Sequence, residues 1–214
     1  MIANSQNPRI FVIGDIHGCR LKLEELLLKI DWRPANQEKL VFLGDYIDRG
    51  LDSYGVVEKV LELKNRWRER VVLLKGNHEQ MFFNYISGKE NLSLTSNGSE
   101  FTIDSYRQNA PFPISHIDFY QNLELFHETE SHIFVHAGLR PGVGLGDQAE
   151  DDLLWIRDEF LESAYDFGKT VVFGHTPVRE PYFAPGRVGL DTGAVFVGGR
   201  LTCWEAVEDR IISV

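Results

Sequence analysis

The sequence predicts an α/β protein built as a layered α/β/β/α sandwich. Before residue 90, three short apolar segments are each followed by a polar loop and then by a segment with helical periodicity, an order typical of parallel sheets. Two further apolar segments lie after residue 130, and residues 182–214 hold short β-like runs between Pro-Gly and Gly-Gly turns. These patterns predict a parallel sheet, a second sheet, and helices outside them.

The first strand is predicted at 9–13, and the loop GDIHG follows it directly. The helix predicted at 20–30 carries leucine and isoleucine at helical spacing, with lysine and glutamate mostly on the opposite side. The polar loop therefore lies between a buried strand and an amphipathic helix.

The next two units repeat this order. Strands are predicted at 40–43 and 71–74, and helices at 54–67 and 80–86. The loop GDYIDRG, which follows the first of these strands, packs two aspartates and an arginine between two glycines that let the backbone bend sharply. Right-handed crossovers gather such loops at the carboxyl edge of a parallel sheet.

The pattern loosens between residues 87 and 129. A loop-like stretch, SGKENLSLTSNGSE, precedes a helix predicted at 101–108 and a proline-rich break at 109–113. Because this stretch lacks an apolar run of its own, we predict a short helical insertion or cap. It is expected to lie beside the site that the polar loops form at the carboxyl edge of the sheet. The expected organisation is one domain over residues 1–214 with this insertion.

Regular periodicity returns at 133–135, which reads as a buried strand. A glycine-rich loop at 141–148, a helix at 152–162 and a strand at 171–173 are predicted next. The β-like runs in 182–214 predict antiparallel strands that form or complete the second sheet.

Composition excludes several classes of protein. The net charge of −10 argues against an extended nucleic-acid surface, which needs a basic stripe. Neither Cys19 nor Cys203 begins the C-x5-R loop of a cysteine phosphatase, and two cysteines are too few for a disulfide scaffold. No apolar run approaches the length of a membrane span, and no signal peptide opens the chain, so we expect a soluble cytoplasmic protein.

Five predicted strand ends share one design, an apolar strand followed by an oxygen or nitrogen ligand. The segments are FVIGDIHG, VFLGDYIDRG, VLLKGNHE, IFVHAG and VVFGHTP. Each alone is explained by a turn residue or a helix cap, but all five together indicate a metal site. Oxygen and imidazole donors without cysteine suit manganese, iron or zinc.

The motifs GDIHG, GDYIDRG and GNHE, followed by HAG and GH, resemble those of the PPP metallophosphoesterase family. This family includes serine/threonine protein phosphatases and symmetrical diadenosine tetraphosphatases. The resemblance runs from Ile10 to about Thr202, and SNGSEFTIDSY and GLDTGAVFVGG are also similar to segments of the bacterial group. It implies a calcineurin-like metallophosphoesterase fold.

The resemblance also implies two divalent metal ions, with manganese expected and iron or zinc as alternatives. Asp15 and His17 would bind one ion, Asn77, His136 and His175 would bind the other, and Asp45 would bridge them. A hydroxide shared by the two ions would attack the phosphorus atom.

Four residues take catalytic roles by the same resemblance. His78 would protonate the leaving oxygen, and Asp48 would orient its imidazole. Arg49 and Arg157 would hold phosphate oxygens through their forked donors. Arg157 is matched only by its place in LLWIR, so a surface helix arginine is the alternative.

Two further residues are assigned supporting roles. Lys75 stands where many relatives have arginine and would tune phosphate or leaving-group contacts. Asp191, in LDTG, would support a metal-binding histidine from behind, with a plain turn acid as the alternative.

The function favoured by the sequence is a metal-dependent protein phosphatase acting on phosphoserine and phosphothreonine, with phosphotyrosine as a further substrate. The short insertion favours it, because an open site leaves little room for an adenine pocket. The alternative is a symmetrical diadenosine tetraphosphate hydrolase or another nucleotide phosphohydrolase, which needs the same site. A catalytically inactive binding module is disfavoured, because every residue required for the chemistry is present. The expected partner is a phosphoprotein or a small phosphorylated molecule.

Overall fold

The computed structural model describes residues 8–89 and 97–214. Ten strands are formed in these residues: β1 Ile10–Ile13, β2 Lys39–Phe42, β3 Val71–Leu73, β4 Phe126–Glu128, β5 His132–Val135, β6 Thr170–Phe173, β7 Tyr182–Ala184, β8 Arg187–Gly189, β9 Thr202–Glu205 and β10 Arg210–Ser213. The α-helices of the described residues are α1 Arg20–Lys29, α2 Ser53–Trp67, α3 Asn77–Ile86, α4 Ser99–Gln108, α5 Ile114–Gln121, α6 Glu150–Trp155 and α7 Asp158–Leu161.

The strands form two five-stranded sheets. In the first sheet, with the order β10-β9-β1-β2-β3, the strands β1, β2 and β3 run parallel, as the strand–loop–helix pattern predicted. In the second sheet, with the order β4-β5-β6-β8-β7, β5, β6 and β8 run parallel and the edge strands are antiparallel.

The two sheets pack face to face. Val12, Val41 and Val72 are register partners on β1 to β3, and they join one buried cluster with Phe134 and Val172 of the second sheet. Side chains alternate across a strand, so the neighbours of these valines point to the helices on the outer face. Helices α1 and α2 contribute to that outer core, and α6 and α7 cover the second sheet. The predicted α/β/β/α sandwich is therefore confirmed.

The C-terminal strands divide between the sheets, which the sequence did not predict. The hairpin β7–β8 completes the second sheet, whereas β9 pairs antiparallel with β1 and carries β10 with it. This pairing buries Cys203 and Trp204 and gives β1 a neighbour on its open side.

Two predicted helices have different bounds. Helix α3 begins at Asn77 instead of residue 80, because the carboxylate of Glu79 accepts the backbone N–H of Gly76 and so caps the helix. The single helix predicted at 152–162 is broken into α6 and α7, since Ile156 is extended and Arg157 has φ −134° and ψ −95°. Arg157 therefore lies between the two helices, with its side chain exposed.

Helices α4 and α5 lie in the range that was predicted to be an insertion, although residues 90–96 of its loop fall outside the described part. Tyr106, Phe119 and Tyr120 join the core cluster that α2 also contributes to. His116 is fully buried beside Tyr106. Over the described residues, none of the helices has the length and apolar character to cross a membrane.

Candidate active site

The strand ends bring all six sequence-predicted metal ligands to one place. Asp15 and His17 follow β1, Asp45 follows β2, and Asn77 opens α3. His136 follows β5 of the second sheet, and His175 follows β6. All six side chains are buried. The site thus lies where the carboxyl edges of the two sheets meet.

Asp45 occupies the centre of this cluster. Its Oδ2 lies 3.5 Å from His17 Nε2, and its Oδ1 lies 3.5 Å from His136 Nε2. Two groups of three potential metal ligands share this carboxylate, one with His17 and His78 and one with His136 and His175. A carboxylate with one oxygen toward each group has the geometry that a bridging ligand needs.

Asn77 lies in the second of these groups. Its Oδ1 lies 2.8 Å from His136 Nε2 and 3.0 Å from His175 Nδ1. The backbone N–H of His175 donates to Asp15 Oδ2 at 2.9 Å, which connects the loop after β1 to the loop after β6. One amide and one carboxylate therefore join loops from both sheets.

The backbone at the site is held in unusual conformations. Of the eight described residues other than glycine with positive φ, five belong to the site. They are His17, Asp45, Asp48, Arg49 and His175. Such conformations cost on the order of 1–3 kcal/mol each and persist where the surroundings enforce them. Their concentration here is typical of a functional site.

Hydrogen bonds fix the tautomers of two histidines. His17 Nδ1 lies 2.8 Å from the carbonyl oxygen of Ile47, and His136 Nδ1 lies 2.9 Å from that of Leu43. Because a carbonyl oxygen only accepts, each neutral ring carries its proton on Nδ1 and turns a lone pair on Nε2 toward Asp45. This arrangement is the usual one for metal-binding histidines.

The donor set fits divalent cations. Asp15 Oδ1 is buried and has no hydrogen-bond partner among the described residues, so a strong acceptor is left unsatisfied. Gly174 makes this position possible, since a Cβ there would lie 2.0 Å from that oxygen. Carboxylate, amide and imidazole donors without a thiolate are those of manganese, iron or zinc sites.

Burial keeps the histidines of this cluster neutral. It lowers the pKa of His17 to about 3 and that of His175 to about 3, and it also lowers the pKa of His136. Burial raises the pKa of Asp15 well above its usual range, and the nearby carboxylates of Asp191 and Asp45 raise it further. A bound cation would relieve this repulsion between buried acids.

His78 and Asp48 form a buried pair beside the cluster. His78 Nδ1 lies 2.6 Å from Asp48 Oδ2, and His78 Nε2 lies 3.9 Å from Asp45 Oδ2. Burial opposes protonation of the imidazole, but the two carboxylates outweigh it and raise the pKa of His78. The pair has the geometry of a proton donor oriented by an acid.

Helix α4 holds Asp48 in place, a contact that the sequence analysis missed. Ser99 Oγ donates to Asp48 Oδ2 at 3.0 Å, and Thr102 Oγ1 donates to Asp48 Oδ1 at 2.5 Å. The backbone N–H of Asp48 in turn donates to Thr102 Oγ1 at 2.9 Å. The only signal in the sequence was the segment SNGSEFTIDSY, whose hydroxyl residues stand three apart at the start of a helix.

Glu79 was also missed. Its carboxylate accepts the backbone N–H groups of Gly76, Asp45 and Tyr46 at 2.8 to 3.0 Å. It therefore fastens the strained turn at Asp45 to the start of α3. Burial raises the pKa of Glu79 to about 8, with the charge of Asp45 adding to the effect. The spacing G-x-x-E before a helix, a capping-box pattern, was the available signal.

Both predicted phosphate-binding arginines reach the cluster. Arg49 Nη1 lies 2.5 Å from His17 Nε2, and Arg157 Nε donates to His175 Nε2 at 3.1 Å. They approach histidines of different ligand groups, so their guanidinium groups stand on two sides of the cluster.

Lys75 and Asp191, which were assigned supporting roles, contact other parts of the protein. Lys75 extends to Glu150 at the start of α6, with Nζ 3.2 Å from Oε1. The sequence analysis expected Asp191 to support a histidine, but in the described residues it has no hydrogen bond to one. Its Oδ1 accepts the N–H of Gly193, a contact that fits the alternative of a turn acid. Burial raises the pKa of Asp191 to about 6. The loop places this acid beside Asp15 because β8 ends next to β6.

Comparison with known proteins identifies a family. Residues 8–199 match the family model for calcineurin-like phosphoesterases. The chain is 30% identical to the asymmetrical bis(5′-nucleosyl)-tetraphosphatase PrpE of Oceanobacillus iheyensis, covering 96% of this chain and 92% of that protein. It is 32% identical to the protein of the same name from Bacillus thuringiensis, covering 95% and 92%.

Solved structures agree on the fold. One described as a candidate diadenosine tetraphosphatase has a TM-score of 0.76 at 26% identity and covers 98% of this chain and 94% of its own. A Saccharomyces cerevisiae serine/threonine phosphatase has a TM-score of 0.70 at 19% identity, covering 99% and 80%. A cold-active protein tyrosine phosphatase of a psychrophilic Shewanella has a TM-score of 0.67 at 19% identity, covering 97% and 78%.

Proposed function

The chain belongs to the calcineurin-like phosphoesterase family, and we propose that it is a metal-dependent hydrolase of dinucleoside tetraphosphates. The observation that carries the hydrolytic chemistry is Asp45, which stands between two ligand groups and next to the His78–Asp48 pair. The substrate class is supported by relatives at 30–32% identity that are named bis(5′-nucleosyl)-tetraphosphatases.

The six clustered residues would hold two divalent cations, with Asp45 between them. Manganese is the expected metal, and iron or zinc are alternatives, because all the donors are oxygen or imidazole nitrogen. When bound, such ions polarise phosphoryl oxygens and activate water for in-line attack. The carbonyl oxygens of Ile47 and Leu43 set the tautomers that leave Nε2 of His17 and His136 as the ligand atoms. Arg49 Nη1 would have to move away from His17 Nε2 for an ion to bind there.

The two arginines would bind the non-bridging oxygens of the phosphoryl group. Arg49 and Arg157 lie next to His17 and His175, so a phosphate at the cluster is within reach of both forks. Negative charge that builds up on the phosphoryl oxygens during the reaction is stabilised by these fixed donors.

His78 would give its Nε2 proton to the departing oxygen. Asp48 accepts from Nδ1, which fixes the ring so that Nε2 points to the Asp45 side of the cluster. Protonation matters most when the departing group is a weak acid, such as the hydroxyl of serine. The terminal oxygen of a nucleoside polyphosphate leaves more readily and needs this proton less.

The phosphoprotein substrate favoured by the sequence has weaker support than its alternative. The solved structures that are named as protein phosphatases are 17–19% identical, and such likeness shows the fold alone. The relatives' names also specify asymmetrical enzymes, whereas the alternative in the sequence analysis was a symmetrical enzyme or another nucleotide phosphohydrolase. We therefore propose asymmetrical cleavage. The cytoplasmic location inferred from the sequence stays a prediction.

Side-by-side turnover of diadenosine tetraphosphate and a phosphoserine peptide tests this proposal. With manganese present, kcat/KM for the dinucleotide is expected to exceed that for the peptide by at least about 100-fold, a transition-state difference of roughly 3 kcal/mol. The expected products are a nucleoside monophosphate and a nucleoside triphosphate. Higher efficiency on the peptide would overturn the substrate assignment, and two nucleoside diphosphates would overturn the asymmetrical mode.

A further inference from the structure

An open groove of about 570 Å³ lies beside the candidate active site. The start of α1, the loop that links Arg49 to α2, and the loop around Val195 form its walls. Two leucines line it while remaining largely exposed, Leu21 at 80% and Leu51 at 81%. Solvent-facing leucines on both sides of a groove are costly in water, so this surface is suited to an apolar ligand.

The groove is continuous with the candidate phosphate site. Arg49 lines the groove and also contacts His17 through its guanidinium group. Gly18, the residue after His17, forms part of the wall next to Gly50. A group attached to a phosphate held by Arg49 therefore emerges at the mouth of the groove.

The charged residues along the groove are already engaged with the protein. Arg20 pairs with Glu24 and Asp52 at 3.0 and 3.3 Å. Lys22 Nζ donates to the carbonyl oxygens of Ala194 and Gly199. The leucines are therefore the main surface of the groove that is open to a ligand. The bonds of Lys22 also hold the loop that carries Val195.

We infer that this groove is the binding site for a nucleoside of the substrate, with the base packed between Leu21 and Leu51. This assignment rests on the proposed function, and it states where the base of the dinucleotide binds. A purine is flat and largely apolar on its faces, so it gains from contact with aliphatic side chains. The sugar lies at the mouth of the groove, next to Arg49 and the phosphate chain.

The engaged charges also predict how the base is selected. Arg20 and Lys22 each donate two hydrogen bonds to protein acceptors, which holds both side chains in place and limits their hydrogen bonding to a base. Diadenosine and diguanosine tetraphosphates are therefore expected to differ less than about tenfold in kcat/KM, since strong discrimination needs dedicated polar contacts.

Replacing each leucine by serine tests the assignment. For Leu21→Ser and Leu51→Ser, kcat/KM for diadenosine tetraphosphate is expected to fall about tenfold, because partial burial of a leucine is lost. Leu28→Ser is the matched control, since Leu28 lies on the same helix, is 88% exposed and is not among the groove residues. Inorganic tetraphosphate, which has no base, is used as a competitive inhibitor, and its inhibition constant is expected to stay unchanged in all three variants.

The outcomes distinguish failure of the groove assignment from failure of the proposed function. If the wild type turns over the dinucleotide but Leu21→Ser and Leu51→Ser match Leu28→Ser, the groove does not bind the base and the proposed function stands. An equal weakening of inorganic tetraphosphate binding would show that the leucines act on the phosphate site, which also overturns the assignment. Failure of the wild type to hydrolyse the dinucleotide would overturn the proposed function and this inference together.

Discussion

His78 Nδ1 lies 2.6 Å from Asp48 Oδ2, and both side chains are buried. Asp48 accepts two further hydrogen bonds, from Ser99 at the oxygen that His78 contacts and from Thr102 at the other oxygen, so α4 fixes its carboxylate. The pair is held by α4, within the range predicted to be an insertion. We propose that this range acts as a support for the catalytic histidine.

The first prediction concerns the proton that His78 supplies. His78→Asn is expected to lower kcat by about 10²- to 10⁴-fold on an alkyl phosphate, the usual range for general acid catalysis. On an aryl phosphate with an acidic leaving group the loss is expected to be much smaller, with metal content unchanged. His127→Asn is the control, because His127 lies on β4 beside Lys39. Equal losses on both substrates would remove His78 from the role of acid.

The second prediction concerns α4. Thr102→Val removes the hydroxyl that bridges the backbone N–H and the carboxylate of Asp48. We expect kcat to fall roughly tenfold or more, as is typical for residues that orient a site. Thr202→Val is the matched control, since Thr202 is also fully buried and hydrogen-bonded, but to Thr192 and Ser213.

Both threonine variants are expected to lose stability, measured by urea unfolding. Only Thr102→Val is expected to lose more rate on poor leaving groups than on good ones, because it acts through Asp48 on His78. The same selective loss in Thr202→Val would mean that the effect is general destabilisation and not orientation of the pair.

The third prediction links pH to stability through His116. His116 Nε2 donates a hydrogen bond to Glu58 Oε1 at 2.6 Å, and Nδ1 lies 2.7 Å from the hydroxyl of Tyr106. Burial lowers the pKa of His116 below the ordinary 6.5 and so favours the neutral ring, although the hydrogen bond and the charge of Glu58 oppose this shift. Below about pH 6.5 the unfolded chain gains a proton that the folded protein resists. Stability is therefore lost as the pH falls, by at most about 1.4 kcal/mol per pH unit for one proton.

His116→Gln removes this titration together with its hydrogen bonds. In the metal-free protein the variant is expected to be less stable than the wild type at pH 7.5, by about 1–3 kcal/mol. The difference in unfolding free energy between the two proteins should narrow as the pH is lowered to 5.5. Only the wild type has a histidine at this position, whose resistance to protonation in the folded state lowers stability at acidic pH. A gap that stays constant or widens in urea unfolding would show that His116 does not resist protonation.

The clustering of the proposed ligands was predictable from the sequence, because each residue follows a local rule. Asp15, Asp45 and His175 come directly after apolar strands, and parallel strands bring their carboxyl ends together. The short apolar runs also predicted the buried strands.

Features that depend on distant partners were not predictable. Thr102 meets Asp48 across 54 residues, and no local pattern encodes that contact. The break between α6 and α7 accompanies the contact of Arg157 with His175, 18 residues later. Likewise, β9 joins the first sheet because β1 has a free edge, a fact known only once the sheet order exists.

The metal requirement is the most direct test of the central claim, that the cluster around Asp45 performs hydrolysis with bound divalent cations. The measurement is turnover of diadenosine tetraphosphate by protein stripped with a chelator and then titrated with manganese. We expect no turnover after stripping and full recovery as about two ions bind per chain, as in two-metal sites. Asp45→Asn should recover little activity at any manganese concentration. Full turnover by stripped protein in excess chelator would contradict the account.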